Sequence, residues 1–251
     1  MRAVICGNGP MGRALAAALG ARGDLVELLG RPSATGHPAA SLAAAEVAFD
    51  ASVGPEVRAN VGAAVTVGCR CVVVATSGWE ADRQAVADDL RAAGAAGVWA
   101  PNFSLGTALF GRLVDRAAAL YGRVGAFDPF IVEWHRRAKR DRPSGTALDL
   151  AARLGNGEVE VASIRAGSSP GMHLVGFDAP GETVELRITA RDRSAYAAGA
   201  LAAADWLRRT PRPPGLHPFD SVVDELVDGT VHPARDASSR AVIEPMHRRT
   251  S

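Results

Sequence analysis

Arg2-Ala3-Val4-Ile5-Cys6-Gly7-Asn8-Gly9-Pro10-Met11-Gly12 decides how the first half of this chain folds. Arg2–Cys6 is a short apolar strand. Gly7, Gly9 and Gly12 follow at once in the spacing G-x-G-x-x-G, and the Ala-rich segment Arg13–Leu19 is helical. A strand, a glycine turn and a helix in that order let a pyrophosphate approach the backbone at the helix N-terminus. The run therefore predicts a dinucleotide site at Gly7, Gly9, Pro10, Met11 and Gly12 rather than a merely structural turn.

Working outward, strands and helices alternate. Asp24–Leu29 is the second strand, and it ends in Gly30-Arg31. An acidic residue there would grip an adenosine ribose. Gly30 cannot, whereas Arg31 can pair with a 2′-phosphate, so NADPH is the expected cofactor, with NADH as the alternative. Ser33–Ala45 reads as loop and linker, Val47–Ala51 as strand and Glu56–Ala64 as helix. Cys71–Ala75 is a continuous apolar run of the kind found in buried parallel strands. It ends in Thr76-Ser77-Gly78 and leads into an amphipathic helix over Glu80–Ala93. Gly97–Ala100 is a further strand, ending in Pro101-Asn102-Phe103-Ser104. This alternation predicts an α/β fold with an N-terminal, Rossmann-type, doubly wound parallel sheet. Ligands of such sheets sit beyond the carboxyl ends of the strands, which places Thr76, Ser77, Asn102 and Phe103 toward a nicotinamide.

The second half changes character. After a helix over Leu105–Tyr121, Asp128–Glu133 is a strand that delivers the most polar stretch of the chain: Glu133-Trp134-His135-Arg136-Arg137-Ala138-Lys139-Arg140-Asp141-Arg142-Pro143-Ser144-Gly145-Thr146-Ala147. Ser144 caps a helix whose apolar stripe is Ala147, Leu148, Leu150, Ala151 and Leu154. Its N-terminus offers unpaired N–H groups, and Gly145 lets a ligand come close, so an anion site is expected at Ser144, Gly145 and Thr146. Lys139 is the sole Lys among 28 Lys and Arg residues. Lys and Arg are not equivalent where a compact, proton-donating charge is required; a solvated basic loop is the plainer reading. Val159–Arg165, Met172–Phe177 and Thr183–Thr189 are β-rich and separated by Gly/Pro turns, which predicts a second α+β domain on an open mixed sheet. Tyr196–Arg208 and Phe219–Leu226 are helices, and Asp228–Ser251 is polar and aperiodic, read as a loose tail.

The polar stretch resembles the signature of the dihydrodipicolinate reductase family, approximately E-x-H-H-x-x-K-x-D-x-P-S-G-T-A. Glu133, His135, Lys139, Asp141, Pro143, Ser144, Gly145, Thr146 and Ala147 match it. The similarity runs over about residues 1–226. Gly9-Pro10-Met11-Gly12-Arg13 keeps most of the family's G-x-x-G-R-M-G-R. Ala75-Thr76-Ser77-Gly78 corresponds to its G-T-T-G, and Ala100-Pro101-Asn102-Phe103-Ser104 to its A-x-N-F-S. Arg165-x-Gly167, Pro170-Gly171-Met172-His173 and Gly181-Glu182 are similar to its later elements. Two positions depart: Arg136 and Ile188 stand where the family usually has His.

The resemblance implies a cofactor site that includes Ala75, Thr76, Ser77, Ala100, Asn102 and Phe103, a catalytic pair His135 and Lys139, and carboxylate binding by Arg136, Gly145 and Thr146. It implies a dinucleotide-binding domain over 1–103 with 217–228 returning to it. Residues 104–216 would bind substrate and assemble a homo-oligomer, a tetramer, through the second sheet. His135 titrates near neutrality and suits an acid; Lys139 either donates a proton or stabilises charge. His173 and His37 are taken as ordinary core or surface histidines.

Composition agrees. With 251 residues, 47% hydrophobic and 22% charged, the chain can bury a large core. A formal charge of +1 offers no electrostatic case for nucleic acid or an anionic membrane. Cys6, Cys69 and Cys71 show no metal spacing, so no metal is expected and a reducing cytoplasm is. No secretory leader is expected, since the first residues already form a strand.

Three functions follow from these readings. The leading one is an NADPH-dependent reductase of a cyclic imine dicarboxylate, as in lysine and diaminopimelate synthesis. Arg136 and Ile188 motivate the second, a relative acting on another cyclic imine or unsaturated amino-acid derivative. The third is a nucleotide-binding regulatory protein without catalysis, against which His135 and Lys139 both speak.

Overall fold

A computed structural model of the chain describes residues 1–30, 42, 44–155 and 159–228. Arg31, His37, most of the 33–45 linker and the tail 229–251 lie outside them. Two sheets organise the fold. The first contains β1 (Arg2–Cys6), β2 (Leu25–Leu29), β3 (Val47–Asp50), β4 (Cys71–Val74), β5 (Ala96–Trp99) and β10 (Gly215–Pro218), in the order β10-β5-β4-β3-β1-β2. All its pairings are parallel. The order doubles back at β1, and that is where the crevice for a ligand opens in sheets of this kind. Val72, Val73 and Val74 are buried on both faces of β4, which is why the strand reads as an unbroken apolar run. Each contributes roughly 1.5–3 kcal/mol of burial. β10 was not expected as a strand; four residues with two prolines nearby carry no period-2 signal, and pairing with β5 alone defines it.

Helices α1 (Pro10–Ala21), α2 (Val57–Thr66) and α3 (Arg83–Ala92) join the first five strands. The second sheet has the order β7-β6-β8-β9, with β6 (Asp128–His135), β7 (Glu160–Arg165), β8 (Gly171–Ala179) and β9 (Glu182–Ala190). β6 pairs with β7 in parallel and with β8 antiparallel, and β8 pairs with β9 antiparallel. The mixed sheet is as expected. One face packs on α4 (Leu105–Val124) and α5 (Gly145–Arg153) through Phe110, Val114, Ile131, Leu150, Val175 and Phe177.

Helix α6 (Ser194–Arg209) corrects the expected grouping of residues 104–216 with the second sheet. Its Ala197, Ala200, Ala203 and Ala204 are buried in the core of the first sheet with Ile5, Phe49 and Val98. Small side chains allow that close approach: a Cβ on Gly199 would lie 1.7 Å from the Phe103 carbonyl oxygen. The chain is therefore back on the first sheet by residue 194, ahead of β10 and α7 (Phe219–Val227).

Candidate active site

The glycine turn has the form a dinucleotide requires. Gly7 has φ +110°, and a Cβ there would meet the Ala51 carbonyl oxygen at 2.3 Å. A Cβ on Gly12 would meet the Gly7 oxygen at 1.8 Å, whereas nothing lies within 4 Å of the Cβ position of Gly9. Two glycines are thus fixed by backbone packing, and the third leaves open space over the start of α1. Pro10 occupies the first helical turn without a side-chain cap, so Met11 and Gly12 present the helix N-terminus. These residues fit a bound pyrophosphate.

Next to this turn, the end of β3 carries a buried carboxylate that the sequence did not mark. Asp50 accepts hydrogen bonds from the Asn60 side chain (2.7 Å), the Ser52 hydroxyl (2.9 Å) and the Thr76 hydroxyl. Trp79 Nε1 donates to the Thr76 carbonyl oxygen at 2.9 Å, and a Cβ on Gly54 would sit 2.0 Å from the Gly78 oxygen. The loops after β3 and β4 are held together in this way. Thr76 is therefore a buried tie to Asp50. Phe103, expected beside the nicotinamide, is buried too, its ring 4.9 Å from that of Phe219. Core packing claims its side chain because α6 closes over it.

A cavity of about 870 Å³ opens between the two sheets. From the first sheet it is lined by Ser77, Trp99, Ala100 and Asn102, beyond the carboxyl ends of β4 and β5. From the second come His135, Arg136, Lys139, Ser144, Gly145, Thr146, His173 and Ile188. The catalytic and substrate residues expected from the sequence thus share one space with three of the expected cofactor residues. The glycine turn, Ala75, Thr76 and Phe103 lie outside its lining. Arg191 and Arg193, in the loop after β9, also line it and add cationic groups that the sequence reading missed.

Glu133 is the hub of the second-sheet wall. Strand alternation puts Ile131, Glu133 and His135 on the helix-facing side of β6, and register places Glu133 opposite Ser163 on β7 and His173 on β8. Its side chain is 0% exposed. Oε1 accepts from the Ser144 backbone N–H (3.0 Å), the Ser163 hydroxyl (2.7 Å) and Arg165 Nη2 (2.6 Å). Burial alone would raise this carboxyl; the donors from Ser144, Ser163 and Arg165 outweigh it and hold the group down at about 2. Oε2 faces His135 Nδ1 at 3.3 Å and His173 Nε2 at 3.7 Å.

The two imidazoles sit edge to face, their centroids 5.1 Å apart. Burial lowers His135 below its ordinary value, with the Glu133 charge opposing and Lys139 reinforcing the fall. Burial and then His135 push His173 down to about 4. His173 Nε2 is also 3.1 Å from the Ser144 hydroxyl. His173 is therefore a neutral, hydrogen-bonded part of the site rather than an ordinary core histidine. Glu133, His135 and His173 bring ligating atoms within 4.8 Å of one another. Arg165 on Oε1 already offsets the carboxylate, so we read the cluster as a buried polar unit.

Lys139 and Ser144 stand in the segment that leads into α5. The Lys139 side chain is 28% exposed, and its Nζ pairs with Asp141 at 2.8 Å. The Lys139 ammonium above all, with the backbone N–H groups of Asp141 and Gly145, holds the Asp141 carboxyl below the usual range. Ser144 caps α5, its hydroxyl accepting from the Ala147 N–H at 3.2 Å.

Comparison with known proteins points one way. The family model described as dihydrodipicolinate reductase, C-terminus, matches residues 106–223. A 4-hydroxy-tetrahydrodipicolinate reductase of Stenotrophomonas maltophilia is 50% identical over 123 residues, covering 48% of this chain and 49% of that protein. The match thus spans about half of that relative's length. One from Rhodopirellula baltica is 34% identical over 200 residues, covering 71% of each chain. Among solved structures, a dipicolinate-bound dihydrodipicolinate reductase from Paenisporosarcina sp. TG-14 aligns with TM-score 0.69 and 19% identity, over 87% of this chain and 97% of that one.

Proposed function

This chain belongs to the dihydrodipicolinate reductase family, and on that premise we propose that it is an NADPH-dependent reductase of a cyclic imine dicarboxylate. The observation that carries the reading is the shared cavity: residues beyond β4 and β5 face His135, Lys139 and the start of α5 across one space. A reduced nicotinamide supplies a hydride when bound, and Gly7, Gly9, Pro10, Met11, Gly12, Ser77, Ala100 and Asn102 are the residues that would hold the cofactor.

The remaining work falls to the second-sheet wall. As the C=N carbon is reduced, the π electron pair collects on nitrogen, which must take up a proton. Protonated His135 is the donor, and Glu133 behind it stabilises the imidazolium. Lys139 places a compact positive charge on the same wall. Gly145, Thr146, Arg136 and Arg193 line the same cavity and would hold ring carboxylates, a reading supported by the dipicolinate named for the Paenisporosarcina protein. NADPH over NADH rests on Gly30 and Arg31.

The first-sheet residues form the cofactor domain in this reading, and the second sheet binds substrate and assembles the oligomer. Its outer face leaves Trp134 41% and Ile164 42% exposed, which supports self-association; a monomer mass by light scattering at micromolar concentration would refute it. Among the described residues no helix is long and apolar enough to cross a membrane.

The test of function is NADPH oxidation with the product of dihydrodipicolinate synthase as substrate. Turnover with that compound is expected. Tight NADPH binding without turnover would favour the second reading, a different imine or unsaturated amino-acid derivative, for which Arg136 and Ile188 on the cavity wall are the motivating observation.

A further inference from the structure

We propose that Glu133 is a positioning residue that fixes the tautomer of His135, keeping a proton on Nδ1 so that Nε2, turned toward the substrate, is the nitrogen that takes up a further proton and delivers it from the imidazolium. The inference rests on the reading of His135 as the proton donor. Its structural basis is a pair of orphaned atoms. Glu133 Oε2 and His135 Nδ1 are both buried, neither has a hydrogen-bond partner elsewhere, and they face each other at 3.3 Å. The contact is not an aligned hydrogen bond in this rotamer. Catalytic pairs without substrate are often loose and tighten when it binds. A buried carboxylate oxygen left without a donor is costly, and His135 Nδ1 lies nearer to it than His173 Nε2 does, at 3.3 Å against 3.7 Å, so the N–H belongs on Nδ1.

The rest of the carboxylate is locked. Oε1 takes three donors, two of which, the Ser144 N–H and the Arg165 guanidinium, can only donate. Glu133 therefore cannot turn to exchange its oxygens. His135 Nε2 in turn lies 3.1 Å from the Cβ position of Gly171, so a side chain at 171 would crowd the atom that faces the cavity. The charged and titratable groups around His135 are Glu133 on its own strand, Arg165 on β7, His173 on β8, and Lys139 and Asp141 in the loop that follows.

Glu133→Gln separates this role from a merely structural one. The amide oxygen must take the Oε1 position, because two pure donors point there. The amide N–H₂ is then forced against His135 Nδ1, which becomes an acceptor, and the ring proton moves to Nε2. An isosteric, neutral change thus inverts the tautomer.

The experiment is long-range ¹H–¹⁵N NMR of histidine-labelled protein at neutral pH, with His135 assigned by its loss in His135→Gln. The wild type is expected to show His135 protonated on Nδ1, and Glu133→Gln to show it on Nε2. With the imine substrate, Glu133→Gln is expected to lower kcat by about 10²-fold or more, while KM for NADPH changes less than about threefold. A wild-type His135 protonated on Nε2 overturns the proposal even if the variant does not fold. So does a folded Glu133→Gln that keeps the Nδ1 form. If no imine is reduced, the functional reading fails, whereas the tautomer measurement, which needs no turnover, still decides this one.

Discussion

Arg165→Met should cost this fold about 3 kcal/mol, and the reason lies in one buried contact. Arg165 Nη2 is 2.6 Å from Glu133 Oε1, with the two side chains 8% and 0% exposed. At an effective dielectric near 20, charges at that separation attract by roughly 6 kcal/mol before desolvation is counted. Breaking a buried pair by removing one partner costs about 3–5 kcal/mol, since the other charge stays behind. Ser163 and the Ser144 N–H remain on the same oxygen, which places the loss at the lower end. Loss of the Arg165 bond to the Asp141 carbonyl oxygen acts in the same direction. The assay is urea unfolding at pH 7 and fixed protein concentration, because an oligomer's stability depends on concentration. In thermal terms the loss corresponds to a fall of roughly 6–12 °C. Adding Glu133→Gln removes the stranded charge, so the double variant should recover at least about 1.5 kcal/mol relative to additivity. A single-variant loss below about 1 kcal/mol, or strict additivity, would refute the hub role of Glu133.

Three further outcomes are expected. His135→Ala and Lys139→Ala should each lower turnover by roughly 10²–10⁴ with NADPH affinity little changed, and Lys139→Arg should not rescue; full activity in Lys139→Arg would reduce Lys139 to part of a solvated basic loop. Stability should fall as pH drops from about 6.5 toward about 4, because folded His173 binds a proton less readily than the unfolded chain does. The loss is roughly 3 kcal/mol. Glu133, held at about 2 against 4.5, extends the loss below pH 4.5, and His173→Gln should flatten the upper window in pH-dependent urea melts. Arg31→Ala should weaken NADPH more than NADH in fluorescence titration, since the 2′-phosphate loses a charge-assisted partner; equal weakening would remove Arg31 from the cofactor site.

Local patterns decided much of this protein before any contact was known. G-x-G-x-x-G after a five-residue strand, apolar runs alternating with helices and the Ser144 cap depend on neighbours in sequence, and the structure keeps all three. The run of nine matched positions between Glu133 and Ala147 likewise marked one wall of the cavity. Contacts between distant residues left no such trace. Glu133 sits 11 residues from Ser144 and 32 from Arg165, and only the β6–β7 and β6–β8 registers bring Arg165 and His173 onto its two oxygens. The same holds for Asp50, which Thr76 reaches from 26 residues away. Phe103 read as cofactor-site lining and the α6 segment as part of the second domain, whereas packing on the first sheet buries both in its core. Periodicity reports which face of an element is apolar. Which element covers that face, and which buried carboxylate meets which imidazole, is settled by strand register and by the close approach that small side chains allow.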